Sequence, residues 1–87
     1  MTATSYRLAR GVRLRRDGEN VTLLVPEGIV TLNASAGAAL EAIAAGAGSL
    51  DDVTARLRER FDDPSGTLEG ETRELLEALA ARGFLER

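Results

Sequence analysis

Leu23-Leu24-Val25-Pro26-Glu27-Gly28-Ile29-Val30-Thr31-Leu32-Asn33 is the stretch on which the reading of this chain turns. It begins inside an apolar strand that starts at Val21. Pro26 and Gly28 fall at the second and fourth positions of Val25-Pro26-Glu27-Gly28, which suits a type I turn. Ile29 to Leu32 is then a short apolar strand without a charged residue, and Asn33 is a helix-capping residue type. A sheet-edge strand with no lysine, no proline and no inward charge is open to pairing with another chain.

Upstream, Val12-Arg13-Leu14-Arg15 alternates apolar and polar residues, the pattern of a half-buried strand. Asp17-Gly18-Glu19-Asn20 is a turn cluster. Val21 to Val25 is richer in apolar residues and is expected at the centre of the sheet. Three strands joined by short turns make an antiparallel meander, with Ile29 to Leu32 at one edge. Residues 1–10 lack periodicity and are expected to form an extended N-terminal arm, with residues 11–87 as a single domain. We find no internal repeat and no interdomain linker.

Downstream the periodicity becomes helical. Asn33 or Ser35 can cap a helix over about 34–45, with Ala36, Leu40 and Ile43 on its apolar face and Gly46 and Gly48 ending it. Ser49-Leu50-Asp51-Asp52 resembles a capping box, and Leu50, Val53, Leu57 and Phe61 repeat at three and four residues as one stripe. Asp62 to Gly66 is a loop. A third helix is expected over about 67–82, with Leu68, Thr72, Leu75 and Leu79 on its core side, Leu76 beside them, and Gly83 as its C-terminal cap. Phe84 and Leu85 return to the body. The expected fold class is α+β and winged-helix-like, a three-stranded antiparallel sheet followed by three helices.

Composition narrows the function. The chain has 87 residues, 44% apolar and 29% charged, with no cysteine and no histidine. It is one small domain with little room for an enclosed active site. Thiolate and imidazole metal sites, a cysteine nucleophile and a histidine base are excluded. No apolar run approaches the length of a membrane span, residues 1–11 lack a signal-peptide core, and a cytoplasmic protein that acts off the membrane is expected. The net charge of −3 argues against a nucleic-acid partner.

No constellation reads as catalytic, and no activity and no cofactor are expected. Asp51 and Asp52 serve a helix start, where negative charge is stabilising, and Asp62 and Asp63 open a loop. The glycines do not form a phosphate-binding fingerprint. Arg13, Arg15 and Arg16 are the one basic cluster, and they read as charges that blunt the other edge of the meander. The uncharged third strand is the candidate site. Ile29, Val30, Thr31 and Leu32 would pair with an extended peptide, or with a second copy of the chain, leaving monomer and homodimer both open. Side-chain selectivity would come from a second line on the third helix, Arg73, Leu76 and Ala80, one step round from the core stripe.

The residues Leu8-Ala9-Arg10-Gly11-Val12-Arg13-Leu14, Leu23-Leu24-Val25-Pro26-Glu27-Gly28, Leu32-Asn33, Ala36, Leu40, Phe61-Asp62, Leu75 to Leu79 and Arg82-Gly83-Phe84-Leu85 resemble the PqqD family of pyrroloquinoline quinone (PQQ) biosynthesis. They also resemble the wider class of leader-peptide recognition domains in ribosomal peptide modification. The resemblance implies a three-stranded sheet on three helices, and a precursor peptide bound as an added strand against the third helix. It implies PqqA as that peptide and presentation to PqqE, a radical SAM enzyme that crosslinks a glutamate to a tyrosine and holds the iron–sulfur clusters. Gly46-Ala47-Gly48-Ser49 departs from the family in lacking an acidic Asp-Gly. So does Gly70, early in the third helix. A recognition domain of another modified-peptide pathway is the alternative. A winged-helix DNA-binding regulator is a weaker one, because Glu69, Glu71, Glu74 and Glu77 outnumber Arg73 and Arg82 on the helix that would meet phosphate.

Overall fold

The computed structural model describes residues 5–87. Among these, the chain runs β1 (Arg7–Leu8), β2 (Arg13–Asp17), β3 (Asn20–Val25), β4 (Gly28–Thr31), α1 (Ala34–Ala44), α2 (Leu50–Arg58), α3 (Leu68–Ala81) and β5 (Leu85–Glu86). The expected meander is β2-β3-β4, antiparallel throughout, with β3 in the centre.

The register sorts the side chains. Leu14, Leu23 and Val30 lie in one cross-strand row, and Arg13, Leu24 and Ile29 in the next. Because successive side chains of a strand alternate between faces, the first row faces the helices and the second faces solvent. Burial follows: Val21 and Leu23 are buried, Leu14 and Val30 half-buried, and Arg13 and Ile29 exposed. The core unites Leu23 with Leu40, Ile43, Val53, Leu57, Leu76 and Leu79 from all three helices.

The caps form largely where the sequence places them. Asn33, not Ser35, caps α1, its Oδ1 accepting from the Ala36 N–H at 2.8 Å. The Ser49 Oγ accepts from the Asp52 N–H at 3.1 Å to open α2. At α3 the Leu68 N–H donates to Asp63 Oδ1 at 3.1 Å, so an acid of the expected loop does the work of a cap. The α3 C-terminus closes with the Gly83 N–H on the Ala80 carbonyl and the Phe84 N–H on the Leu79 carbonyl. That bond pair is the Schellman motif, which needs a left-handed residue, and Gly83 supplies it at φ 84°. Helix α1 lies close on the sheet because of Gly37: a Cβ there would stand 2.8 Å from that of Val21.

The expected N-terminal arm is packed from Ser5 onward, while residues 1–4 lie outside the described residues. Arg7–Leu8 pairs antiparallel with Leu85–Glu86. Tyr6 and Ala9 are buried, and the Tyr6 N–H donates to the Gly48 carbonyl at 2.7 Å. Gly48, expected only to break a helix, thus also anchors this segment. Too few residues are involved for either strand to show a period.

The third helix holds the main correction. Leu76 is fully buried with Thr72 and Leu79, whereas Leu75 is only half-buried. The core stripe runs Thr72, Leu76, Leu79, and Leu75 flanks it. Neighbouring residues of a helix are about 100° apart, so two adjacent leucines leave the phase open.

Candidate peptide-docking edge

Strand β4 pairs with β3 on one side only, and among the described residues no strand occupies its other side. Its open edge therefore carries backbone N–H and C=O groups without a ladder partner. Ile29, at 69% exposure, is the one large apolar side chain exposed among the described residues. Thr31 is exposed, Val30 is half-buried on the inner face, and Leu32, just past the strand, packs against the core. The four strand residues named from the sequence thus lie on or beside one open edge.

A cleft sits at each end of this edge, and both involve the α3 region. At the Gly28 end, a cleft of about 470 Å³ is lined by Val25, Glu27, Gly28, Ile29, Val30, Arg82 and Phe84. Gly28 contributes no side chain, which leaves the inner face of β4 open over the Phe84 ring. At the Asn33 end, a cleft of about 480 Å³ is lined by Asn33, Ser35 and Ala36 at the start of α1, by Leu57, and by α3 residues that include Glu71, Glu74, Leu75 and Ala78.

Glu71, Glu74, Leu75, Ala78 and Arg82 recur at helical spacing, so they form one flank of α3. The expected second line is elsewhere. Leu76 is inside the core, Ala80 packs against the core, and exposed Arg73 lines neither cleft. On a helical wheel, Arg73 and Ala80 fall across the core stripe from the cleft-lining flank. The phase error in Leu75 and Leu76 accounts for the displacement. A stripe centred on Thr72 and Leu76 puts the exposed flank at Leu75 and Ala78. Among the described residues Arg73 makes no ion pair within 4 Å with Glu69 or Glu77, its neighbours four residues away on α3.

The basic cluster divides by strand parity. Arg16 faces the helices and makes a two-pronged contact with Glu41 of α1, its Nε donating to Oε2 at 2.8 Å and its Nη2 to Oε1. That carboxylate raises the Arg16 pKa, first through the hydrogen bond and then through its charge. Arg13 and Arg15 lie on the solvent face of the sheet. Strand β2, the opposite edge, thus bears three arginines and ties one of them to α1, while β4 bears none. Charged edges resist strand addition, and of the two outer strands of the meander only β2 carries that protection.

Among the described residues no cluster of acidic side chains is arranged to hold a metal ion. No described helix is long and apolar enough to cross a membrane.

Comparison with known proteins bears on the family and the fold. The family model for coenzyme PQQ synthesis protein D (PqqD) matches residues 20–85. The resemblance at Leu8 to Leu14 lies outside that match. Two solved structures share the fold. One is TbiB1 in complex with the TbiA(beta) leader peptide, 20% identical, with a TM-score of 0.77 over 92% of this chain and 94% of that one. The other is the solution NMR structure of the PqqD truncation of Methylobacterium extorquens PqqCD. It represents a functional, stand-alone recognition element for ribosomally synthesized and post-translationally modified peptides. It is 31% identical, with a TM-score of 0.74 over 95% of this chain and 89% of that one. No curated protein sequence matches the chain.

Proposed function

The chain belongs to the PqqD family, and from that premise we propose that it recognises the leader of a ribosomally made precursor peptide by taking it up as an added strand on β4. The observation that carries the reading is the open β4 edge, with Ile29 exposed on it and a cleft walled by α3 at each end. Backbone pairing gives such a complex affinity, and side-chain pockets beside the strand give it selectivity. An extended peptide on β4 would cover Ile29 on the solvent face and send alternate side chains toward Phe84 and Leu75.

The bound peptide is held for a separate modifying enzyme. In the PQQ pathway these partners are PqqA and the radical SAM enzyme PqqE. This chain, with no cysteine, supplies no thiolate for an iron–sulfur cluster. DNA recognition is disfavoured by the acidic face of α3.

Titration calorimetry with a PqqA-type precursor tests the reading, alongside mass spectrometry of the peptide. The expected result is one peptide bound per chain and an unchanged peptide mass. Binding of a leader from another modification pathway, with none of the PqqA type, reassigns the pathway and keeps the mode. A new covalent product without a partner enzyme would contradict the non-catalytic role. A dimer joined through β4 that excludes peptide would mean that a second copy owns the edge.

A further inference from the structure

The two clefts beside β4 differ in charge. The one at the Asn33 end is rimmed by two carboxylates, Glu71 and Glu74, with no basic residue in its lining. The one at the Gly28 end has Arg82 on the α3 side and Glu27 on the turn, so its charges balance. Arg82 lies over the Phe84 ring, its guanidinium carbon 4.6 Å from the ring centroid, which places the cation beside an aromatic surface. The two ends of β4 are therefore graded in charge, negative at the cleft past Asn33 and balanced, with a cation held on an aromatic ring, at the cleft beside Gly28.

We infer that this gradient sets the direction and charge order of the bound peptide: a basic residue at its N-terminal end faces Glu71 and Glu74, and an acidic residue at its C-terminal end faces Arg82. The inference rests on strand addition at β4. Antiparallel pairing continues the β2-β3-β4 meander and is slightly the more stable geometry. It sets the peptide's N-terminus beside Asn33 and its C-terminus beside Gly28. With that polarity, a basic-to-acidic order meets Glu71 and Glu74 at one end and Arg82 on the α3 side at the other, and the reverse order sets an acid against the two carboxylates and a base against Arg82, with Glu27 on the turn offsetting part of the second term.

Among the described residues none of the three groups is neutralised by an ion pair. Glu74 makes no hydrogen bond or ion pair among the described side chains, and Arg82 makes no ion pair there. Glu71 accepts from the Thr67 hydroxyl at 2.9 Å, which fixes its carboxylate at the cleft rim. Each cleft also has an apolar part to its lining, Leu75 and Ala78 beside the two carboxylates and Val30 and Phe84 beside Arg82. The ligand class is thus an extended segment with basic, alternating apolar and acidic parts in that order.

Two synthetic peptides of identical composition test this. Peptide one is Lys-Lys-Val-Thr-Leu-Thr-Val-Glu-Glu, and peptide two is Glu-Glu-Val-Thr-Leu-Thr-Val-Lys-Lys. Each is titrated into isotopically labelled full-length chain while amide shifts are followed. Peptide one should bind at β4 about fivefold to tenfold more tightly, the scale of several partly exposed charge pairs acting together. A chain carrying Glu74→Arg and Arg82→Glu, both at exposed positions, should prefer peptide two. A nitroxide on the N-terminus of peptide one should broaden Asn33 and Ser35 amides. Equal binding of both peptides at β4 to both chains overturns the charge order and leaves strand addition standing. Broadening at Glu27 and Gly28 overturns the direction. If neither peptide shifts β4 amides, strand addition and the charge order fall together.

Discussion

The Arg82 guanidinium lies over the face of Phe84, 4.6 Å from its ring centroid. The two residues flank Gly83, whose left-handed conformation turns the chain back over the end of α3. Phe84 belongs to the core cluster and also lines the cleft beside Gly28. Fold and site therefore share this side chain. Phe84→Ala should cost about 3–5 kcal/mol, the range for a buried phenylalanine, read in denaturant unfolding. Arg82→Ala removes only an exposed stacking contact, and its midpoint should move little.

Leu76 and Leu75 separate core from cleft on α3. Leu→Ala at fully buried Leu76 should cost about 2–5 kcal/mol. The same change at half-buried Leu75 should cost less and should weaken leader binding, because Leu75 lines the cleft. Thermal melts and calorimetry on both variants decide it. Equal stability losses with unchanged binding would return the groove to another flank.

Proline on β4 tests the backbone edge. Successive residues of an edge strand aim their N–H groups alternately at the neighbouring strand and at the open side. Of Val30 and Thr31, therefore, one N–H faces outward. Proline removes that donor and is tolerated at sheet edges. At the outward position, peptide affinity should fall while helical circular dichroism stays. At the inward position, the β3-β4 pairing should weaken and the melt should drop.

Gly70 is the third residue of α3, exposed, with open space where a Cβ would be. Glycine is about 1 kcal/mol worse than alanine inside a helix. Gly70→Ala should raise stability by about 0.5–1 kcal/mol, measured as a higher unfolding midpoint, with leader binding unaltered.

The strand register was legible because turn chemistry fixes it. Asp17 to Asn20 and Val25 to Gly28 carry the turn residues, and alternation between them assigns each side chain to a face. The caps at Asn33 and Ser49 were legible for the same local reason. The flank of α3 was not. Leu68, Thr72, Leu75, Leu76 and Leu79 fit two helical stripes, and only packing against α1 and α2 selects the one centred on Thr72 and Leu76. That Phe84 and Arg82 line a cleft with Gly28 was not legible, because they lie at and beyond the helix end and a Schellman turn brings them back toward Gly28. The pairing of β1 with β5 joins segments at opposite ends of the sequence, a contact no local pattern announces.

Amide shift mapping of labelled chain with an intact precursor peptide tests the central claim most directly. Strand addition at β4 predicts the largest shifts from Gly28 to Leu32, with a second set at Glu71, Glu74, Leu75, Ala78 and Arg82. Shifts confined to Arg13, Leu14, Arg15 and Arg16, with β4 and that flank of α3 unmoved, would place the peptide on the opposite edge and contradict the account.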